Sequence, residues 1–175
     1  MRSLTVYVSL SVIFASLVAA TTLAIRIPVV ATGGYINVGD AMIFISALLF
    51  GPVIGGVAGG VGSAVADMIG YPIYAPFTLI IKGLEGLLAG YIRDARSFKR
   101  DLLAWGTGAL TMVLGYFVSE SYIMGLGIAA ASVEVPGNLF QALFGGLIGI
   151  PVARTLRKKL GIFPLLTPLL RKETA

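Results

Sequence analysis

Ten polar residues lie in or beside apolar runs, where hydrocarbon tolerates them least: Tyr35, Asn37, Asp40, Asp67, Tyr74, Lys82, Glu85, Glu120, Asn138 and Gln141. An ionisable group inside a membrane span costs roughly 2.5–3.5 kcal/mol on insertion scales, so each must be offset by something. Their spacing suggests convergence. Lys82 and Glu85 are three residues apart, as are Asn138 and Gln141, while Tyr116 and Glu120 are four apart, so each pair shares one helix face. The chain has no cysteine and no histidine, which removes thiol and imidazole catalysis, disulfides and the usual metal ligands. What remains is the chemistry of binding. Tyrosines offer flat faces to a heteroaromatic ring. Asn and Gln donate and accept, as ring nitrogens and carbonyls require. One lysine among several carboxylates argues against a polyphosphate, so a neutral or weakly charged planar nutrient fits this inventory best.

Plainer roles compete for the same residues. Lys82 and Glu85 can be a pair that neutralises a span. Asp40 and Asp67 can cap helix ends, and Tyr71, Tyr74 and Tyr122 can form an interfacial belt. An intramembrane enzyme using Asp40 and Asp67 as a carboxylate dyad is disfavoured, because no spacing ties the two together. A stand-alone proton-coupled transporter using Lys82, Glu85 and Glu120 as a relay is a further alternative, although inverted repeats are not evident.

The elements that must position these residues are membrane helices. Of the 175 residues 57% are hydrophobic and 12% charged, against about 25% charged in an ordinary soluble domain. A span needs about 20 apolar residues. The expected fold is an all-α bundle of six transmembrane helices over residues 4–25, 41–50, 53–69, 77–92, 102–124 and 136–153, a single domain followed by a basic tail over 154–175. The first run exceeds the ~7–15 residues of a signal-peptide core, so it is expected to be retained. Residues 93–101 read as an aqueous loop and 125–135 as a small-residue connection. With both termini cytoplasmic, 11 of the 13 Lys and Arg residues fall on the inner side. The intramembrane polar residues then gather in the outer half, which describes a cup open to the outside. Gly51, Gly55, Gly56, Gly59 and Gly60 form overlapping small-xxx-small pairs suited to close helix packing.

The stretches Gly34–Asp40, Leu49–Gly55, Ser63–Asp67, Tyr71–Phe77 and Lys82–Gly86 resemble the substrate-binding (S) components of energy-coupling factor (ECF) vitamin transporters, riboflavin-type group. The resemblance covers the first half of the chain, and the second half agrees in length, topology and charge. It implies a high-affinity capture subunit in a prokaryotic cell membrane, with no cofactor and no enzymatic activity of its own. Riboflavin would be the foremost ligand, with a pyrimidine- or pyridoxine-type vitamin as the alternative. It implies three partners, a coupling transmembrane subunit and two ATPases, and a lid over the site from residues 32–40. It also implies docking through an Ala-xxx-Ala motif on the first helix, matched by Ala15 and Ala19. No Gly-x-x-x-x-Gly-Lys-Ser/Thr motif occurs, so ATP hydrolysis would belong to other chains.

Overall fold

The computed structural model describes residues 2–160, with side chains from 4 to 159. Six helices run in order: α1 (Arg2–Ala24), α2 (Asp40–Phe50), α3 (Pro52–Met68), α4 (Ala75–Ile92), α5 (Phe98–Val118) and α6 (Ile128–Leu160). A two-stranded antiparallel hairpin, β1 (Arg26–Val29) and β2 (Gly34–Asn37), joins α1 to α2. The protein is an all-α membrane protein, with this one small sheet among the described residues. Among the described residues, Leu4–Ala24, Ala75–Ile92, Phe98–Ile123 and Ile128–Lys159 are long and apolar enough to cross a bilayer, and α2 and α3 are shorter apolar helices. Large hydrophobic side chains are exposed along the outside of the bundle, among them Val12, Leu17, Leu79, Leu114 and Leu147. Lipid rather than water suits such a surface.

The short helix α2 is the axis of the bundle. All its residues but Met42 are buried, and Phe44, Leu48 and Leu49 pack with Ile54 of α3, Ala89 of α4, Ala104 of α5 and Ile150 of α6. At ~1.5 Å per residue its length covers only about half of the ~30 Å hydrocarbon core. The glycine run expected to pack tightly does so, against α4. A methyl group on Gly86 would overlap the Gly55 carbonyl, and one on Gly59 would overlap the carbonyl of Lys82. Backbone therefore lies on backbone, gaining dispersion contact that a side chain would prevent, and Lys82 is drawn toward the bundle centre.

The helix boundaries depart from expectation in three places. Residues 125–135 are not a connection, because α6 already begins at Ile128. Ala129, Ala130 and Ala131 are strong helix formers, and Pro136 removes only the single bond to the Ser132 carbonyl, which membrane helices tolerate. Residues 93–101 are not wholly a loop: Ser97 caps α5, accepting a bond from the Arg100 amide, and the helix includes Asp101. Beyond Val118 the helix widens into a π-helical turn, Ser119–Ile123. The expected tail is helical up to Leu160, and its residues 161–175, with Arg171 and Lys172, lie outside the described residues.

Candidate functional site

The hairpin lies across one end of the bundle. Its turn is closed by the Thr32 and Gly33 amides, both donating to the Val29 carbonyl, and Gly33 adopts φ 70°, a left-handed conformation that glycine reaches without strain. Beneath it lies a polar cavity of about 380 Å³ with the open solvent at its mouth included, of which about 20 Å³ is interior room. Tyr35 and Asn37 line it from the hairpin, Ser63 and Asp67 from α3, and Tyr74, Thr78 and Lys82 from the start of α4. Tyr116 lines it from α5, and Glu134, Asn138 and Gln141 from α6.

Seven of the ten sequence-predicted residues thus meet around one space. The other three stand behind its walls. Asp40 is buried at the start of α2, ion-paired with Lys82 and accepting two 3.1 Å bonds from the Gln141 amide. Glu85 pairs with Lys82 from below at 3.1 Å. Lys82 is thereby held between two carboxylates, with its ammonium 5.8 Å from the Tyr116 ring centre. Glu120 is buried on the π-helical turn, with its carboxyl against that of Glu134. Tyr71 stacks on Tyr35 at 4.4 Å between ring centres but lies outside the cavity wall. Tyr122, grouped with the same aromatic level on sequence grounds, is 67% exposed and belongs elsewhere.

Four residues of the helical wall lie outside those ten, each four positions before one of them, and of these Tyr116 and Glu134 already read from the sequence as part of the same polar faces. Ser63 precedes Asp67, Thr78 precedes Lys82, Tyr116 precedes Glu120 and Glu134 precedes Asn138. One helical turn separates the members of each pair. Extending the Asp67 and Lys82 faces by a turn would have found Ser63 and Thr78 as well.

Two sets of contacts pin the hairpin down. On the α6 side, Gln141 accepts a 2.7 Å bond from the Asn37 amide, and Glu134 accepts a bond from the Thr32 hydroxyl. On the α3–α4 side, the Tyr35 hydroxyl donates to Asp67, and the Tyr74 hydroxyl donates to the Thr32 carbonyl at 3.0 Å. Burial pushes the Tyr35 phenol well above its usual range, with Asp67 adding to the effect, and burial pushes Tyr74 up to about 12. Both remain protonated donors at any ordinary pH. Arg26, missed as a site residue, completes the latch. Its guanidinium donates to the carbonyls of Ala66 and Ile69 at the end of α3 and lies 4.8 Å from the Tyr35 ring and 5.5 Å from Tyr71. Asn138 differs from its neighbours. It is 5% exposed, lines the cavity and has no side-chain hydrogen bond to a described residue, so its amide is available to a ligand.

Ala15 and Ala19 lie far from this cavity in role. Both are half-buried on α1, and the Ala15 backbone abuts Gly62 of α3, so part of the Ala15 surface is already covered within the chain. Most of α1 otherwise faces outward.

What the arrangement can do is enclose a small planar polar molecule. It offers aromatic faces, a free amide, carboxylates and a charge-balanced lysine, and nothing that would make or break a bond. Comparison with known proteins gives the family. The sequence profile of the ECF-type riboflavin transporter S component family matches residues 3–158. A Pyrococcus woesei protein, described as an uncharacterized protein in a gap 3′ region, is 46% identical over 145 residues, covering 82% of this chain and 97% of that one. The thiamine precursor transporter HmpT of Lactococcus lactis subsp. cremoris is 32% identical over 114 residues, covering 65% of this chain and 64% of HmpT.

Proposed function

The chain belongs to the ECF-type riboflavin transporter S component family, and from that premise we propose that it captures riboflavin in the cavity beneath the hairpin. Membership makes it a membrane transport subunit and not an enzyme. The observation that carries the riboflavin reading is the cavity itself: polar groups from the hairpin and four helices surround one space at one end of an apolar bundle. Tyr35 and Tyr74 would flank the flavin ring, while Asn138, Asn37 and Gln141 would meet its ring nitrogens and carbonyls. Asp67 and Lys82 complete the polar wall, with Asp40 and Glu85 holding Lys82 in place and Glu120 backing Glu134.

In this reading six crossings put both termini in the cytoplasm and the hairpin outside, where it closes over captured vitamin. A coupling transmembrane subunit and two ATPases then drive release inward, with Ala15, Ala19 and the outward face of α1 as the docking surface.

A second ligand, a pyrimidine-type thiamine precursor, is favoured by the HmpT relative and by the excess of carboxylates over Lys82 around the cavity. A thermal-shift screen of the detergent-solubilised chain against water-soluble vitamins separates the two, since a ligand at 100 times its Kd adds ~2.7 kcal/mol of apparent stability. Riboflavin should give the largest shift. A larger shift from the pyrimidine replaces riboflavin as the ligand, and no shift from any vitamin removes the capture reading. Uptake into vesicles lacking ATPase subunits, abolished by a protonophore, would instead favour a stand-alone proton-coupled carrier.

A further inference from the structure

A second recess lies between α5 and α6, toward the end of the bundle opposite the hairpin. Phe98, Leu102 and Trp105 face Leu147, Ile150 and Pro151 across an open apolar recess of about 180 Å³. Gly146 makes the room: a methyl group there would overlap the Trp105 indole. The indole N–H donates to the Ala142 carbonyl at 2.8 Å, so the recess presents no unmet polar demand to an occupant.

One end of this recess is strongly basic. Arg154 lies one turn beyond Ile150, with its guanidinium 5.4 Å from the Phe98 ring. It is one-third exposed and shares the buried Asp101 carboxylate with Arg157, so a single negative charge answers two positive ones. Lys158 follows one turn further on the same face, and Lys99 adjoins Phe98; both are exposed. An apolar slot that ends in uncompensated positive charge complements an amphiphile with an anionic head.

We propose that this recess holds one tail of an anionic membrane phospholipid whose phosphate sits among Lys99, Arg154 and Lys158. The stretch of α6 lining the slot is short, about 12 Å at ~1.5 Å per residue. That suits the part of a lipid tail next to its head better than a partner's full transmembrane helix. The site is separate from the vitamin cavity and does not depend on which vitamin binds.

Trp105 is the sole tryptophan of the chain and therefore reports on this recess alone. The purified protein is reconstituted in phosphatidylcholine vesicles containing rising fractions of either tail-brominated phosphatidylglycerol or tail-brominated phosphatidylcholine, and quenching of Trp105 is followed. The anionic lipid should quench at about tenfold lower mole fraction, the preference expected of one or two basic side chains at a membrane surface. The double variant K99Q/K158Q should lose most of that preference yet keep its quenching by brominated phosphatidylcholine. Equal quenching by both lipids would mean ordinary surrounding lipid and overturn the proposal. So would a preference that K99Q/K158Q leaves intact, or a Trp105 emission insensitive to either lipid, which would mean that protein fills the slot.

Discussion

The two ends of the bundle use the same residue types for opposite ends. At the hairpin end, Lys82, Asp67, Glu134 and Gln141 line a space, with Asp40 and Glu85 behind Lys82, and Asn138 has no side-chain hydrogen bond to a described residue. At the other end the buried charges surround no cavity of their own, and the recess beside them is apolar. Arg154 and Arg157 both bind Asp101, at 2.8 and 3.2 Å, and Arg157 and Arg93 both donate to the Leu48 carbonyl, at 2.6 and 3.2 Å. That carbonyl is one of the last four of α2, which no intrahelical amide can satisfy. Burial, followed by the neighbouring Arg157 charge, lowers the Arg93 guanidinium to about 10, so it stays charged at neutral pH. The lesson is that buried charge marks a vitamin site only when it encloses room. Where charges close directly on one another and on helix ends, they join α2, α4, α5 and α6 into one block.

Substitutions on the two sides should therefore separate stability from binding. The largest effect is expected from Asp101→Ala, which strands two arginines, one of them buried. Breaking such a pair costs about 3–5 kcal/mol, so thermal unfolding in detergent should occur at a much lower temperature. An unchanged unfolding temperature would show that the closed end is not the structural one. Next comes Asn138→Ala, which removes the free amide from the cavity. Vitamin affinity should fall about tenfold, the worth of one buried hydrogen bond of ~1–1.5 kcal/mol, with little change in the unfolding temperature of the ligand-free protein. Tyr74→Phe deletes the bond to the Thr32 carbonyl on the hairpin. A neutral hydrogen bond is worth ~0.5–1.5 kcal/mol, so a few-fold faster vitamin release in stopped-flow measurements is expected. Smallest of all, Lys159→Gln on the exposed end of α6 should shift stability by less than ~0.5 kcal/mol and leave vitamin binding unchanged; a clear loss of affinity would blur the contrast between the ends.

Much of this was legible beforehand, and the limits have physical causes. Hydropathy and length located every helix, because a lipid-facing surface must be apolar throughout and the buried α2 is an apolar run ended by Gly51 and Pro52. The level of Asp40, Asp67, Lys82 and Asn138 followed from the expense of burying polar groups. Helix ends were less legible: Pro136 reads equally well as a first-turn residue or as an interior one, and the alanines before it decided the matter. The hairpin was hidden because residues 26–37 are too short for a strand pattern to stand out, although Gly33 and Gly34 mark its turn. The network around Asp101 was invisible because its partners lie more than fifty residues away, and charge beside an apolar run looks the same whether it faces water or another helix. Ala15 could not be divided in advance between an external partner and Gly62, since small residues serve both.

The most direct test is a fluorescence titration of riboflavin with the purified chain and its Asp67→Asn variant. Flavin emission should be quenched with one-to-one stoichiometry and tight affinity by the unaltered protein, and at least tenfold more weakly by the variant, which lacks the carboxylate that lines the cavity and anchors Tyr35. Equal affinity in the two proteins would place the vitamin somewhere other than beneath the hairpin and contradict the account.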